Sequence, residues 1–119
     1  MALTMTPEGG AVYRLTASGM LQRTEFEQFQ AALAREIAAH GHLRLLVILE
    51  RFEGWGPGDN WSDLSFYMTH GDSIERIAIV GDERWRSEML MFAVADLRKA
   101  PVEFFPASRL AEARAWLSQ

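Results

Sequence analysis

Two short aliphatic runs constrain this chain more than any other feature. Residues 43–50 (Leu-Arg-Leu-Leu-Val-Ile-Leu-Glu) and 74–80 (Ile-Glu-Arg-Ile-Ala-Ile-Val) place branched apolar side chains at consecutive positions instead of alternating ones. A strand with one wet face alternates, whereas a strand covered on both faces reads as a nearly continuous apolar run. Turn-forming residues bound the runs, Gly41 and Gly54 around the first and Gly81-Asp82 after the second. They predict two central strands that need material packed above and below them, which helices on a mainly parallel sheet provide.

The flanking segments carry the patterns of that material. Leu3-Thr4-Met5-Thr6 and residues 11–16 alternate in polarity around Pro7-Glu8-Gly9-Gly10, so the chain opens with a β-hairpin. Thr24 stands three residues before Glu27 as a capping box, and Phe26, Phe29, Leu33 and Ile37 recur at helical spacing until Gly41. After the Gly/Pro-rich stretch 54–58, Asp59 or Asn60 caps a helix to about His70, with Trp61, Leu64 and Met68 along one side. Asp82 caps a third helix from Glu83 to about Lys99. Residues 102–105 form a short last strand, and Ser108 caps a final helix that turns Leu110, Ala113 and Leu117 inward. The expected fold class is α/β: an N-terminal β-hairpin, then alternating helices and strands, with four helices on a mixed, mainly parallel sheet of four to five strands.

At 119 residues the expectation is one domain over 1–119, able to bury a core without staples. The absence of cysteine removes disulfides, thiol catalysis and thiolate metal sites together. A net charge of -4, with no basic patch to offset it, argues against nucleic acid as a partner. Residues 1–10 contain Glu8 and neither Lys nor Arg, unlike a signal peptide. The longest apolar runs, 45–49 and 89–95, are far too short to cross a bilayer. A cytoplasmic location is therefore expected.

Ligands of open parallel sheets sit outside the carboxyl ends of the strands. Those ends bring together Phe52, Trp55, Trp61, Asp82, Trp85 and Ser108, and Trp85 and Met89 share a helix face at i, i+4. With Leu64 beside Trp61, the residues Phe52, Trp55, Trp61, Leu64, Trp85 and Met89 are the expected lining of an apolar cleft for a small hydrophobic molecule. Aromatic rings at helical spacing also pack cores, and these rings would equally close a core beneath a mobile loop. The stretch 54–58 lacks the Gly-Lys-Ser/Thr of a phosphate loop and the G-x-G-x-x-G of a dinucleotide fold, and Asp59 and Asp63 would repel an anion. Its three glycines in five residues predict a mobile flap. His40, His42 and His70 precede strands and so lie at the opposite end from Ser108 and Asp82, which leaves acyl-transfer chemistry without a base. No catalytic residue, metal or cofactor is expected. The run 89–95 is apolar around the whole circumference of a helix, and a homodimer is the expectation it raises.

The ordered series Glu50-Arg51-Phe52-Glu53-Gly54-Trp55, Trp61-Ser62-Asp63-Leu64, His70, residues 74–82 with Trp85, Val102-Glu103-Phe104-Phe105 and residues 112–117 resembles the SpoIIAA-like family over about residues 13–117. The resemblance implies a fold related to STAS domains, the anti-sigma-factor antagonists, and to CRAL-TRIO lipid-binding domains, in small bacterial proteins mostly without an assigned activity. It also implies binding of an apolar ligand. STAS antagonists carry a phosphorylatable serine in an Asp-Ser-Ser/Thr-Gly turn after the central strand, where this chain has Glu53-Gly54-Trp55-Gly56. The phospho-switch therefore does not carry over. Two readings remain: a non-enzymatic module that binds a small apolar or lipid-like molecule at the carboxyl ends of the parallel strands, and a STAS-like protein-interaction module.

Overall fold

The computed structural model describes residues 3–57, 61 and 64–119. A hairpin of β1 (Leu3–Gly9) and β2 (Val12–Leu21) leads into α1 (Arg23–His40), β3 (Leu43–Trp55) and α2 (Ser65–His70). Then come β4 (Ile74–Gly81), α3 (Arg86–Phe92), β5 (Val102–Pro106) and α4 (Leu110–Leu117). The five strands lie in sequence order, β1-β2-β3-β4-β5, antiparallel within the hairpin and parallel thereafter. The α/β class, the opening hairpin and the mainly parallel sheet are as the sequence predicts.

Strand order explains the layering. Each parallel connection steps to the next strand in the same direction, so right-handed crossovers put α1, α2 and α3 on one face. That face buries Leu15, Leu45, Ile77 and Ile79 against Leu33, Ile37 and Met89. α4, which follows the last strand, takes the other face and buries Leu46, Ala78 and Val80 under Ala113 and Leu117. From Leu43 to Leu49, odd positions of β3 thus enter one cluster and even positions the other, as a doubly covered strand requires. Toward the hairpin the second face becomes polar: Arg14 of β2 donates to Glu8 at 3.2 Å, and Glu8 also accepts from Arg114 of α4.

Several local expectations are corrected. β1 continues through Pro7, tolerated because β1 is an edge strand, and the reversal falls at Gly9, Gly10 and Ala11, all with positive φ. Thr24 lies inside α1, whose N-cap is Gln22 without a side-chain bond; Ser108 likewise sits in a 3₁₀ turn, and α4 begins after Arg109. Asp82 does cap, accepting the Arg84 N–H at 3.0 Å, but over a 3₁₀ turn, Glu83–Trp85, that feeds α3. The expected caps Asp59 and Asn60, together with Gly58, Ser62 and Asp63, lie outside the described residues.

α3 ends at Phe92 instead of near Lys99. The Ala95 N–H reaches back to Leu90 O (3.0 Å) and the Val94 N–H to Met91 O (3.1 Å), the bond pair of a Schellman stop. Val94 takes the left-handed position, φ +57°, usually filled by glycine. The run 89–95 is therefore not a helix apolar all round: Met89 is buried, Phe92 half-buried, and the chain turns away beyond them.

Candidate functional site

β3 outruns its aliphatic portion because it bulges. Ser18, Gly19, Met20 and Leu21 of β2 pair with Glu50, Phe52, Gly54 and Trp55, so Arg51 and Glu53 are extra residues on β3. Arg51 (φ +49°) and Gly54 (φ +107°) absorb the kinks in left-handed conformations. Each bulge shifts the side-chain alternation by one, which brings Phe52 and Trp55 onto the same face as Leu49. Residues 54–56 of the stretch expected to be a mobile flap are thereby built into the fold, and Gly58 lies outside the described residues. Gly54 and Trp55 are strand, the Gly56 N–H donates to Leu21 O at 2.8 Å, and Gly56 O accepts from Trp61 Nε1 at 2.9 Å.

The aromatic rings form two sets joined by one residue. Phe52, Trp55 and Trp85 meet edge-to-face, with centroids 4.9 to 6.0 Å apart, and Trp85 lies 3.4 Å from where a Cβ on Gly54 would stand. Phe26, Phe29 and Trp61 form the second set, and Phe92 touches both, 5.3 Å from Trp55 and 5.0 Å from Phe26. Guanidinium groups cover the outer rings, Arg84 over Trp85 at 5.0 Å and Arg23 over Trp61 at 5.8 Å.

Beside the second set lies a cavity of about 120 Å³. Its floor is the sheet face, Leu15, Leu45, Val47, Ile77 and Ile79; its roof is Phe26, Phe29 and Leu33 of α1, Phe66 and Tyr67 of α2, and Met89 and Phe92 of α3. Trp61 and Leu64 stand at its side, and Gln30 and Arg98 bring polar groups to it. Three of the expected lining residues, Trp61, Leu64 and Met89, are in place. Phe52, Trp55 and Trp85 are not among the lining residues; they fill the neighbouring volume by packing on one another. The location also differs from expectation. The space runs along the sheet face beneath the helices, as far as Ile74 at the amino end of β4, instead of lying outside the carboxyl ends.

Arg98 is the residue that sequence reasoning missed entirely. The reversal at Val94 carries the chain back toward α2, where Arg98 Nε donates to Ala93 O (2.6 Å) and its guanidinium lies 5.0 Å over the Tyr67 ring. Tyr67 Oη in turn donates to Leu97 O at 2.8 Å. Burial pushes the Arg98 pKa below its ordinary value, although a guanidinium keeps its charge at neutral pH. Arg98 Nη1 is buried without a hydrogen-bond partner. Of the other residues weighed from sequence, Asp82 is occupied by its cap, His40 lies 3.6 Å from Glu36 and His42 lies 3.7 Å from Glu75. None of these lines the cavity.

A family profile described as SpoIIAA-like matches residues 12–118 of the chain. The crystal structure of an uncharacterized protein from Shewanella loihica, described as having a SpoIIAA-like fold, superposes with a TM-score of 0.73. The two sequences are 20% identical, and the match covers 98% of this chain and 92% of that one. No curated protein matches the sequence. The fold expected from the resemblance is the one observed.

Proposed function

The chain belongs to the SpoIIAA-like family, and on that scaffold we propose a non-enzymatic binding module that takes a small apolar molecule between the sheet and helices α1 to α3. The observation that carries this reading is the cavity of about 120 Å³ walled by aliphatic and aromatic side chains. An apolar cavity of about 150 Å³ accommodates benzene, so the space here suits one ring or a short alkyl chain. Burying about 150 Å² of such a ligand at ~25 cal/mol per Å² contributes roughly 4 kcal/mol before the cost of association, so simple hydrocarbon probes should bind no tighter than about millimolar.

Titration of the protein with toluene, followed by tryptophan fluorescence and by amide chemical shifts, tests the reading. Saturable changes confined to the lining residues are expected. Ala93→Leu, which adds three carbons at the cavity wall, should weaken them several-fold. A linear, unsaturable response in the parent protein would sink the proposal.

A second reading, a STAS-like interaction module that forms a homodimer, draws on a different observation. Met68, Met91 and Leu97 are large apolar residues left exposed around the same helix layer. Its test is the oligomeric state.

A further inference from the structure

We infer that the occupant of the cavity is a small amphiphilic carboxylic acid, its carboxylate held by Arg98 and its ring or chain lying among Phe26, Phe66, Phe92 and Trp61. The inference rests on the cavity-binding reading above and adds to it the chemical class of the ligand.

Arg98 shares its carbonyl acceptor and ring contact in kind with Arg76 and Arg84, but among the described residues it is the one arginine with a buried nitrogen left without a partner. Arg14, Arg44, Arg86, Arg109 and Arg114 each reach a glutamate, through Glu8, Glu75, Glu83, Glu112 and Glu8 respectively. Among the described residues no carboxylate pairs with Arg98. Its Nε is occupied by Ala93 O and its π face by Tyr67, while Nη1 is buried with nothing to donate to. A charged donor left unsatisfied in a low-dielectric site is costly, and an anion at the cavity end of the guanidinium removes that cost. A carboxylate matches the planar donor fork of arginine, and a single guanidinium suits a single negative charge. The rest of the wall is almost wholly apolar, Gln30 and Tyr67 aside, which calls for a ligand with one polar end.

Two backbone features preserve this arrangement. Val94 holds a left-handed conformation unfavourable for a β-branched residue, and that conformation turns the chain so that Arg98 returns to the cavity. Gly71 keeps space at the same spot: a Cβ there would stand 2.8 Å from Tyr67 Cδ1 and 3.5 Å from Arg98 Nη1.

The experiment titrates the full chain with benzoate and hexanoate and with their uncharged counterparts, benzyl alcohol and hexanol. At least one acid should bind about tenfold or more tightly than its alcohol, the worth of a charge-assisted hydrogen bond. Arg98→Gln should abolish that preference, bringing acid and alcohol to equal affinity, and Arg98→Lys should retain part of it. Because Arg98→Gln could unfold the protein, the Arg98 side-chain N–H signals of the parent give a second readout, shifting with the acid and not with the alcohol. Whether benzoate or hexanoate wins distinguishes an aromatic from an alkyl acid; either outcome supports the class. Equal affinities for acid and alcohol, or a preference that survives Arg98→Gln, overturns the inference while leaving the cavity reading standing. Failure of all four probes to bind overturns both.

Discussion

The two faces of the sheet are covered in different ways, and the difference locates the candidate site. Under α4 the innermost contacts are made by small and medium side chains, with the rings of Phe105 and Trp116 packed against them: Leu46, Ala78 and Ala113 are completely buried and Leu117 nearly so. Alanines at the contact let helix and sheet approach closely. The helix end is also tied down, because Arg44 donates to Leu117 O and to an oxygen of Gln119 (2.5 and 2.7 Å) and Arg76 donates to Trp116 O (3.0 Å). The opposite face is roofed by three helices, two of them only six and seven residues long, whose aromatic rings span the distance to the strands. Rings bridge a wide gap without filling it evenly, and the cavity lies there. Under α4 a space of about 130 Å³ also remains beside Leu46 and Leu117, but Glu8 and Arg114 line it at the hairpin edge, whereas the space under α1 to α3 has the almost wholly apolar wall that suits an apolar ligand.

The largest effect should come from breaking the core under α4. Leu46→Ala removes a fully buried side chain and enlarges the space already beside it, and a loss of about 3 to 4 kcal/mol is expected in urea unfolding. A loss under about 1 kcal/mol would show that Leu46 is not held in the packed core between the sheet and α4. Adding volume gives a sharper contrast. Ala113→Leu should cost about 1 to 3 kcal/mol through overpacking, while the same change at Ala93, on the cavity wall, should be neutral or slightly stabilising. Equal losses at both positions would mean that the space beneath α3 is not available to a side chain, nor therefore to a ligand.

A smaller effect tests the stop at the end of α3. Elsewhere in a chain Gly is less stable than Ala by roughly 0.5 to 1 kcal/mol, but at a left-handed position the order inverts. Val94→Gly should therefore be more stable than Val94→Ala by about 1 kcal/mol, measured as the difference in urea midpoint at equal m-value. The usual order, with Ala ahead, would place residue 94 outside the left-handed region and would undo the turn that returns Arg98 to the cavity.

What the sequence disclosed and what it hid divide along the same physical line. The strands at 43 and 74 and the apolar face Phe26, Phe29, Leu33 and Ile37 were legible because burial imposes a periodicity that survives in the residues themselves. The bulge at Arg51 and the helix stop at Val94 were not, because each uses a left-handed backbone at a residue that gives no sign of it. Those two hidden features misled the reading of the site. Without the bulges, Phe52 and Trp55 read as loop residues beside a cleft instead of as core beneath Trp85. Without the stop, Arg98 reads as one more solvated charge near the end of a long helix. Met89 lines the cavity from α3 as its helical spacing predicts, whereas Trp61 and Leu64 line it from the segment before α2, which starts at Ser65 and not near residue 60 as expected.

The smallest expected effect on the fold concerns Met91, and it asks whether the loosely packed side is finished by a second copy of the chain. Residues 89 to 92 turn Met89, Leu90 and Phe92 toward the sheet, which leaves Met91 79% exposed, with Leu97 63% exposed beyond the turn. A charge placed on so exposed a side chain should move the protomer's folding free energy by less than about 0.5 kcal/mol. The same charge in the middle of an apolar interface would be buried without a partner and would disrupt it. Met91→Glu should thus leave the unfolding midpoint of the dilute protomer unchanged while shifting sedimentation at micromolar concentration from dimer to monomer. If the parent already sediments as a monomer across that range, the dimer is ruled out, and the helix layer of one chain alone must account for whatever the cavity holds.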